Sequence, residues 1–213
     1  MSVMLVTAAL ASLAVACARP ALRLTPAPRT FTPRDYERVY RTWTRSQDAF
    51  SMVTLSDVLH VTATFESWEF RWAYVVRYAD DFHLTPAARD RMLRASLTDA
   101  RRRHRFLVTL AGPVYRESDL THKRSGWRVL LVDEDGNHHA PIELEKIKRP
   151  GAADRTYFPS ITPFRQAFRV VFPAQRADGT PVLRPRTRKF TLRFAGTPSS
   201  VELHWRVDPA TPR

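Results

Sequence analysis

Lys189 to Val207 reads KFTLRFAGTPSSVELHWRV. Phe190, Leu192 and Phe194 take every second place in its first half; Val201, Leu203, Trp205 and Val207 do so in its second. Successive side chains on an extended chain point to opposite sides, so each half has one apolar and one polar face. The glycine and proline between the halves mark a turn. The same period of two recurs upstream. Leu59, Val61, Ala63 and Phe65 alternate with His60, Thr62, Thr64 and Glu66; Phe106, Val108 and Leu110 form another row, and Trp127, Val129 and Leu131 a third. Phe164, Phe168, Val170 and Phe172 line one face of a further strand against Arg165 and Arg169. Asp-Glu-Asp-Gly-Asn at 133–137, followed by Pro-Ile-Glu-Leu-Glu-Lys-Ile at 141–147, reads as a hairpin around an Asp-Gly turn. Regular alternation of this kind predicts antiparallel sheets packed on one face. Several short strands with such punctuation predict a mainly β domain, an antiparallel β-sandwich of immunoglobulin-like type.

Three stretches have a helical period instead. Thr32-Pro33-Arg34-Asp35 supplies a capping hydroxyl, a first-turn proline and an acid three places on, before Tyr36, Tyr40 and Trp43. Ser67 can cap a second helix, with Trp68, Trp72, Val75, Val76 and Ala79 on one face. Thr85-Pro86 opens a third, with Leu93, Leu97 and Ala100 as its stripe. The last two place a helical segment over about 67–104, inserted between early strands of one α+β domain at 33–208, with 209–213 as a tail.

The net charge is +13, and 30 of the 34 basic residues are arginine, a skew that a GC-rich coding sequence would also produce. Arg101, Arg102, Arg103 and Arg105 form the densest run, at the expected helix end; they are candidates for meeting phosphate or carboxylate groups, although runs of charge usually face water. A second run, Arg184 to Lys189, precedes a strand and would guard a sheet edge. Six glycines and no phosphate-loop or dinucleotide motif exclude the common nucleotide-binding classes. Asp133, Asp135 and Asn137 imitate the start of a calcium loop, but Leu144 stands where its closing glutamate belongs. His138 and His139 are adjacent, so a strand would send them to opposite faces. Trp68, Trp72, Trp127 and Trp205 all sit on the apolar phase, which predicts core packing rather than sugar stacking. No nucleophile elbow or zinc helix is present. These readings assign no catalytic residue, no metal, no cofactor, no nucleic acid and no small-molecule substrate.

The chain's single cysteine, Cys17, follows VMLVTAALASLAVA, an uncharged run of 14 residues at Val3–Ala16. That is too short for a spanning helix, which needs roughly 20 apolar residues, and it fits the apolar region of an export signal. Ala14-Val15-Ala16-Cys17 resembles the lipobox of bacterial lipoproteins, although no Lys or Arg precedes the run and Leu13 lies one place early. The resemblance covers the leader only. It implies a signal peptide at 1–16, cleavage between Ala16 and Cys17, and acylation (palmitate-type) of Cys17, with Ala18 favouring delivery to the outer membrane, facing the periplasm. A lone cysteine cannot bridge within the chain, and a thioether removes a free thiol from an oxidising compartment. Residues 17–32, rich in proline, would form an extended linker.

The resulting expectation is a lipid-anchored envelope protein with a binding or scaffolding role, with the membrane as one partner and another envelope protein as a second. Alternatives are a binder of anionic envelope polymers or head groups, an envelope hydrolase, and a soluble secreted or periplasmic protein. Excess positive charge attracts polyanions through a long-range field, screened over about 8 Å at physiological salt.

Overall fold

The computed structural model describes residues 22–24, 26, 30–51, 56–197 and 199–208. The leader, Ala16 and Cys17 lie outside the described residues. A 3-10 turn at Pro33–Asp35 runs into α1 (Tyr36–Trp43), followed by β1 (Thr44–Ser51) and β2 (Ser56–Phe65). Two helices, α2 (Trp68–Asp81) and α3 (Pro86–Arg102), then precede β3 (Arg103–Ala111). The remainder is β4 (Trp127–Val132), β5 (His138–His139), β6 (Glu143–Ile147), α4 (Ala152–Tyr157), β7 (Gln166–Pro173), β8 (Lys189–Gly196) and β9 (Ser200–Arg206). The fold is mostly β, with two antiparallel sheets and a few helices. One sheet has the order β1-β2-β3-β7-β6 and the other β5-β4-β8-β9.

The alternating rows meet across the two sheets. Phe65 lies opposite Phe106 in register, and Phe106 opposite Val170, so all three share the inner face of the five-stranded sheet. From the other sheet, Phe190 lies opposite Trp205. Phe190 packs on Phe65 at 5.2 Å between ring centroids, and Trp205 on Phe106 at 5.6 Å. The Trp205 indole N–H donates to the Trp43 carbonyl, giving this buried polar group a partner. Gly196 allows a close backbone approach: a Cβ there would lie 2.5 Å from the Gly126 carbonyl oxygen.

The expected helices form between β2 and β3, and both are capped as their sequences suggest. The Ser67 hydroxyl accepts from the Phe70 amide, and the Thr85 hydroxyl from the Ala88 amide. Five expectations are corrected. First, the inner strands of the five-stranded sheet are buried on both faces: Thr64, Leu107, Thr109 and Val171 are as enclosed as their inner-face neighbours. Second, the stripe of α3 is only half-buried, because this helix lies on the outside against α2. Third, Phe164 precedes β7 and is 90 % exposed. Fourth, the Asp-Gly turn does join β4 to β5, with Gly136 at φ +87°, but β6 crosses to the other sheet and pairs with β7. Fifth, the run Arg184 to Lys189 guards no edge, because β8 lies between β4 and β9. The polar strand β1 was not foreseen. Its hydroxyls meet those of β2, Thr44 with Thr64 and Ser46 with Thr62, which lets a weakly apolar sequence pair.

Part of the proline-rich linker lies on the body. The Leu22 carbonyl accepts from the Asp208 amide, the Arg23 carbonyl from the Trp68 indole, and Phe31 packs on Trp72. Among the described residues no helix is long and apolar enough to cross a membrane.

Candidate ligand-binding cleft

The run Arg101 to Arg105 straddles a junction. Helix α3 stops at Arg102 and strand β3 begins at Arg103, so helical and extended rules apply on either side of one peptide bond. In the extended part, Arg103 and Arg105 take the outer phase with Leu107, while His104 takes the inner phase with Phe106. Arg103 sits within 3.4 Å of Glu143, and Arg105 within 3.2 Å of Asp99. Arg101 and Arg102 are exposed at the helix end and have no carboxylate partner among the described residues. The four arginines considered as candidates for one anion-binding patch are therefore divided, two engaged in ion pairs and two open to solvent.

His104 lines a cleft of about 310 Å³ between the end of α3, the inner edge of the sheets and the segment after β7. Phe65, Trp68, Leu97, Ala100, Ala174 and Leu183 form its apolar wall, together with Leu24 and Pro26 of the linker. Its volume lies at the small end of the roughly 300–1,000 Å³ usual for ligand pockets. Its polar side chains are Glu66 and Ser67 before α2, Arg101, Arg103 and His104 at the junction, and Gln175 after β7. The His104 ring lies edge-on to Phe65 at 5.9 Å, and its Nε2 is buried with no hydrogen-bond partner. Burial, reinforced by the positive charge of Arg71 and by His139, lowers its pKa to about 4. The imidazole is therefore neutral at pH 7. A buried polar atom without a partner costs free energy unless something fills its vacancy.

The other polar clusters are closed by their own partners. On the outer face of β3, Arg71, Arg105 and Arg169 share a cleft with Glu66, Glu143 and Glu145. Arg71 is held by Asp99 at 2.6 Å and by the Ser96 and Glu66 carbonyls, and Arg169 is held by Glu145 at 3.3 Å. Lys146 is fixed by Asp119 at 2.6 Å and Gln166 at 2.7 Å, which ties the loop after β3 to the sheet edge. In the Asp-Gly turn, burial pushes the Asp133 carboxyl up, but hydrogen bonds from His139, Asn137 and Arg176 outweigh it and hold the pKa well below the usual range. His138 instead meets Arg193, so the two adjacent histidines do diverge. Among the described residues no group of three His, Cys, Asp or Glu side chains could hold a metal ion.

Sequence reasoning reached Arg101 but missed the cleft. Its walls come from four separated segments, and each contributes only one or a few ordinary apolar residues. His104 was legible only as part of a basic run. Compared with protein-family models and with curated proteins, the chain matches none.

Proposed function

We propose that this chain is a non-enzymatic binding protein of the bacterial cell envelope, tethered through a lipid on Cys17, whose cleft takes an apolar ligand. The observation that carries this reading is the cleft itself, apolar-walled and completed by Leu24 and Pro26. These residues lie seven and nine positions after Cys17, so tether and site are continuous. Leu22 lies five positions after Cys17, and an extended chain spans at most about 3.6 Å per residue, so the body would sit within about 18 Å of the anchor. The immunoglobulin-like reading of the two sheets belongs to the same proposal, supported by their antiparallel order and shared aromatic core. The alternative, a polyanion-binding surface, is weaker because Arg103 and Arg105 are engaged by Glu143 and Asp99.

The test is Ala100→Trp in the full chain. Ala100 is half-buried on a helix that buries no residue fully, so folding should tolerate the change while the indole fills the cleft. An uncharged, polarity-sensitive naphthylamine dye should bind the native chain and lose at least tenfold in affinity to the variant, with an unchanged melting curve. Equal dye binding by both would refute the cleft as the site.

A further inference from the structure

We propose that the end of the five-stranded sheet opposite the cleft docks on an anionic lipid surface, with Phe50, Val114, Tyr115 and Phe164 entering the interface. The register places these residues together. Phe50 pairs with Asp57 near the tip of β1 and β2, and Ala111 ends β3 opposite His60. Gln166 opens β7 opposite Leu110, and Ile147 ends β6 opposite Ala167. Phe164 stands two residues before Gln166. The loop after β3 is pinned to the same edge, because the Gln166 amide donates to the Tyr115 carbonyl and the Lys146 ammonium to the Tyr115 hydroxyl. That ammonium also lies 4.6 Å from the Tyr115 ring centroid, so Val114 and Tyr115 are held in place while both stay exposed. Four of the six exposed large apolar residues among the described residues therefore gather at one end of one sheet; the others are Phe82 and Ile142. Gathered exposed apolar groups mark an interaction surface, whereas single ones do not.

The charge of the same loops selects the partner. Residues 112–126 and 146–165 carry eight basic side chains against three acidic ones. Arg116, Lys123, Arg124, Lys148 and Arg149 are exposed and have no carboxylate partner among the described residues, unlike Arg103 and Arg105. Beside Val114, a hollow of about 490 Å³ is lined by Arg116, His122, Lys123 and Arg124, with Glu117 as its one acid. Aromatic tips flanked by cations suit a bilayer interface, where binding grows with buried apolar area and with attraction to anionic head groups. Strand β3, nine residues long, separates this end from the cleft by about 30 Å, so the contact depends on neither the cleft nor the tether.

The experiment uses the full chain with Cys17→Ser, so that no acyl group contributes, and vesicles of phosphatidylglycerol in phosphatidylcholine or of phosphatidylcholine alone. Phe164→Trp adds a reporter at an exposed position where folding should tolerate it. Relative to the parent chain, the added emission should shift to the blue on the anionic vesicles and be quenched by brominated lipid tails. Neutral vesicles should bind far more weakly. In co-sedimentation with the anionic vesicles, Phe164→Ser should weaken binding about tenfold. Lys148→Gln with Arg149→Gln should weaken it at least about tenfold, since one cation near such a surface is worth about a fivefold change. Arg101→Gln with Arg102→Gln removes the same charge at the opposite end and should change binding less than about twofold, because charges so far from the surface are screened. Equal losses from the two charge pairs, with no blue shift at position 164, would reduce the attraction to net charge and overturn the proposal. Absence of vesicle binding would overturn it too. So would a dimer that Phe164→Ser dissociates while vesicles leave residue 164 unshifted, which would make this end a contact between two copies of the chain.

Discussion

His104 carries an energetic cost that should be measurable in the absence of any ligand. Its pKa is about 4 in the folded chain against 6.5 as a free side chain, so the unfolded state binds the extra proton more readily. Stability should be complete above about pH 6.5 and fall as the pH drops through the window down to about 4. The loss should amount to roughly 2–3 kcal/mol. Asp35 acts in a separate, lower window. Hydrogen bonds from Arg38 and Thr32 lower its pKa from 3.8 to about 2, so its contribution is present above 3.8 and disappears only below it. Urea melts between pH 7 and pH 4 should therefore show a slope that His104→Leu flattens. An unchanged slope in the variant would mean that other groups carry the transition. At this scale the sequence is least informative. His104 looks like one more member of a basic run, and only the switch from helix to strand between Arg102 and Arg103 turns it inward.

At the scale of elements, the joint between α3 and β3 depends on one buried arginine. Arg71, on α2, donates to the Glu66 carbonyl before its own helix, to the Ser96 carbonyl and Asp99 carboxylate on α3, and contacts the Arg103 carbonyl at the start of β3. Its side chain is 4 % exposed. Arg71→Leu would leave those acceptors unpaired and should cost about 2–4 kcal/mol in chemical denaturation, with Asp99→Asn costing less because that carboxylate is partly solvated. An effect within about 0.5 kcal/mol would mean the joint is held by packing alone. The strand rows around Phe106, Val129, Leu192 and Leu203 were legible because their period of two survives into the sheets. The helix caps at Ser67 and Thr85 were legible because capping is local chemistry. The sheet assigned to β6 was not. Its Glu-Leu-Glu-Lys-Ile pattern suits an edge strand in either sheet, and the choice rests on a connection between sheets that no local pattern encodes. Strand β1 failed the same way, since its pairing relies on threonine and serine hydroxyls rather than an apolar row.

At the scale of the whole molecule, the body, the linker and the proposed tether are argued from different kinds of observation. The two-sheet core with helices on one side is a property of the structure, and the lipid anchor is a property of the leader's likeness to a lipobox. Mass spectrometry of the mature amino terminus should find an acylated Cys17 and no leader, and Cys17→Ser should block cleavage by the lipoprotein peptidase. A mature chain that starts at Ala18 or later would remove the tether without touching the cleft. The cleft has its own reporter. Trp68 borders it and donates its indole N–H to the Arg23 carbonyl of the linker. A brominated acyl chain quenches tryptophan fluorescence at contact distance, and the most direct measurement is titration of the native chain and of Trp68→Phe with brominated dodecanoate. Saturable partial quenching of the native chain should appear, and most of it should disappear in Trp68→Phe while calorimetric binding persists. Quenching of equal size in both proteins, or none in the native chain at concentrations where this probe is bound, would contradict an apolar ligand lying in this cleft.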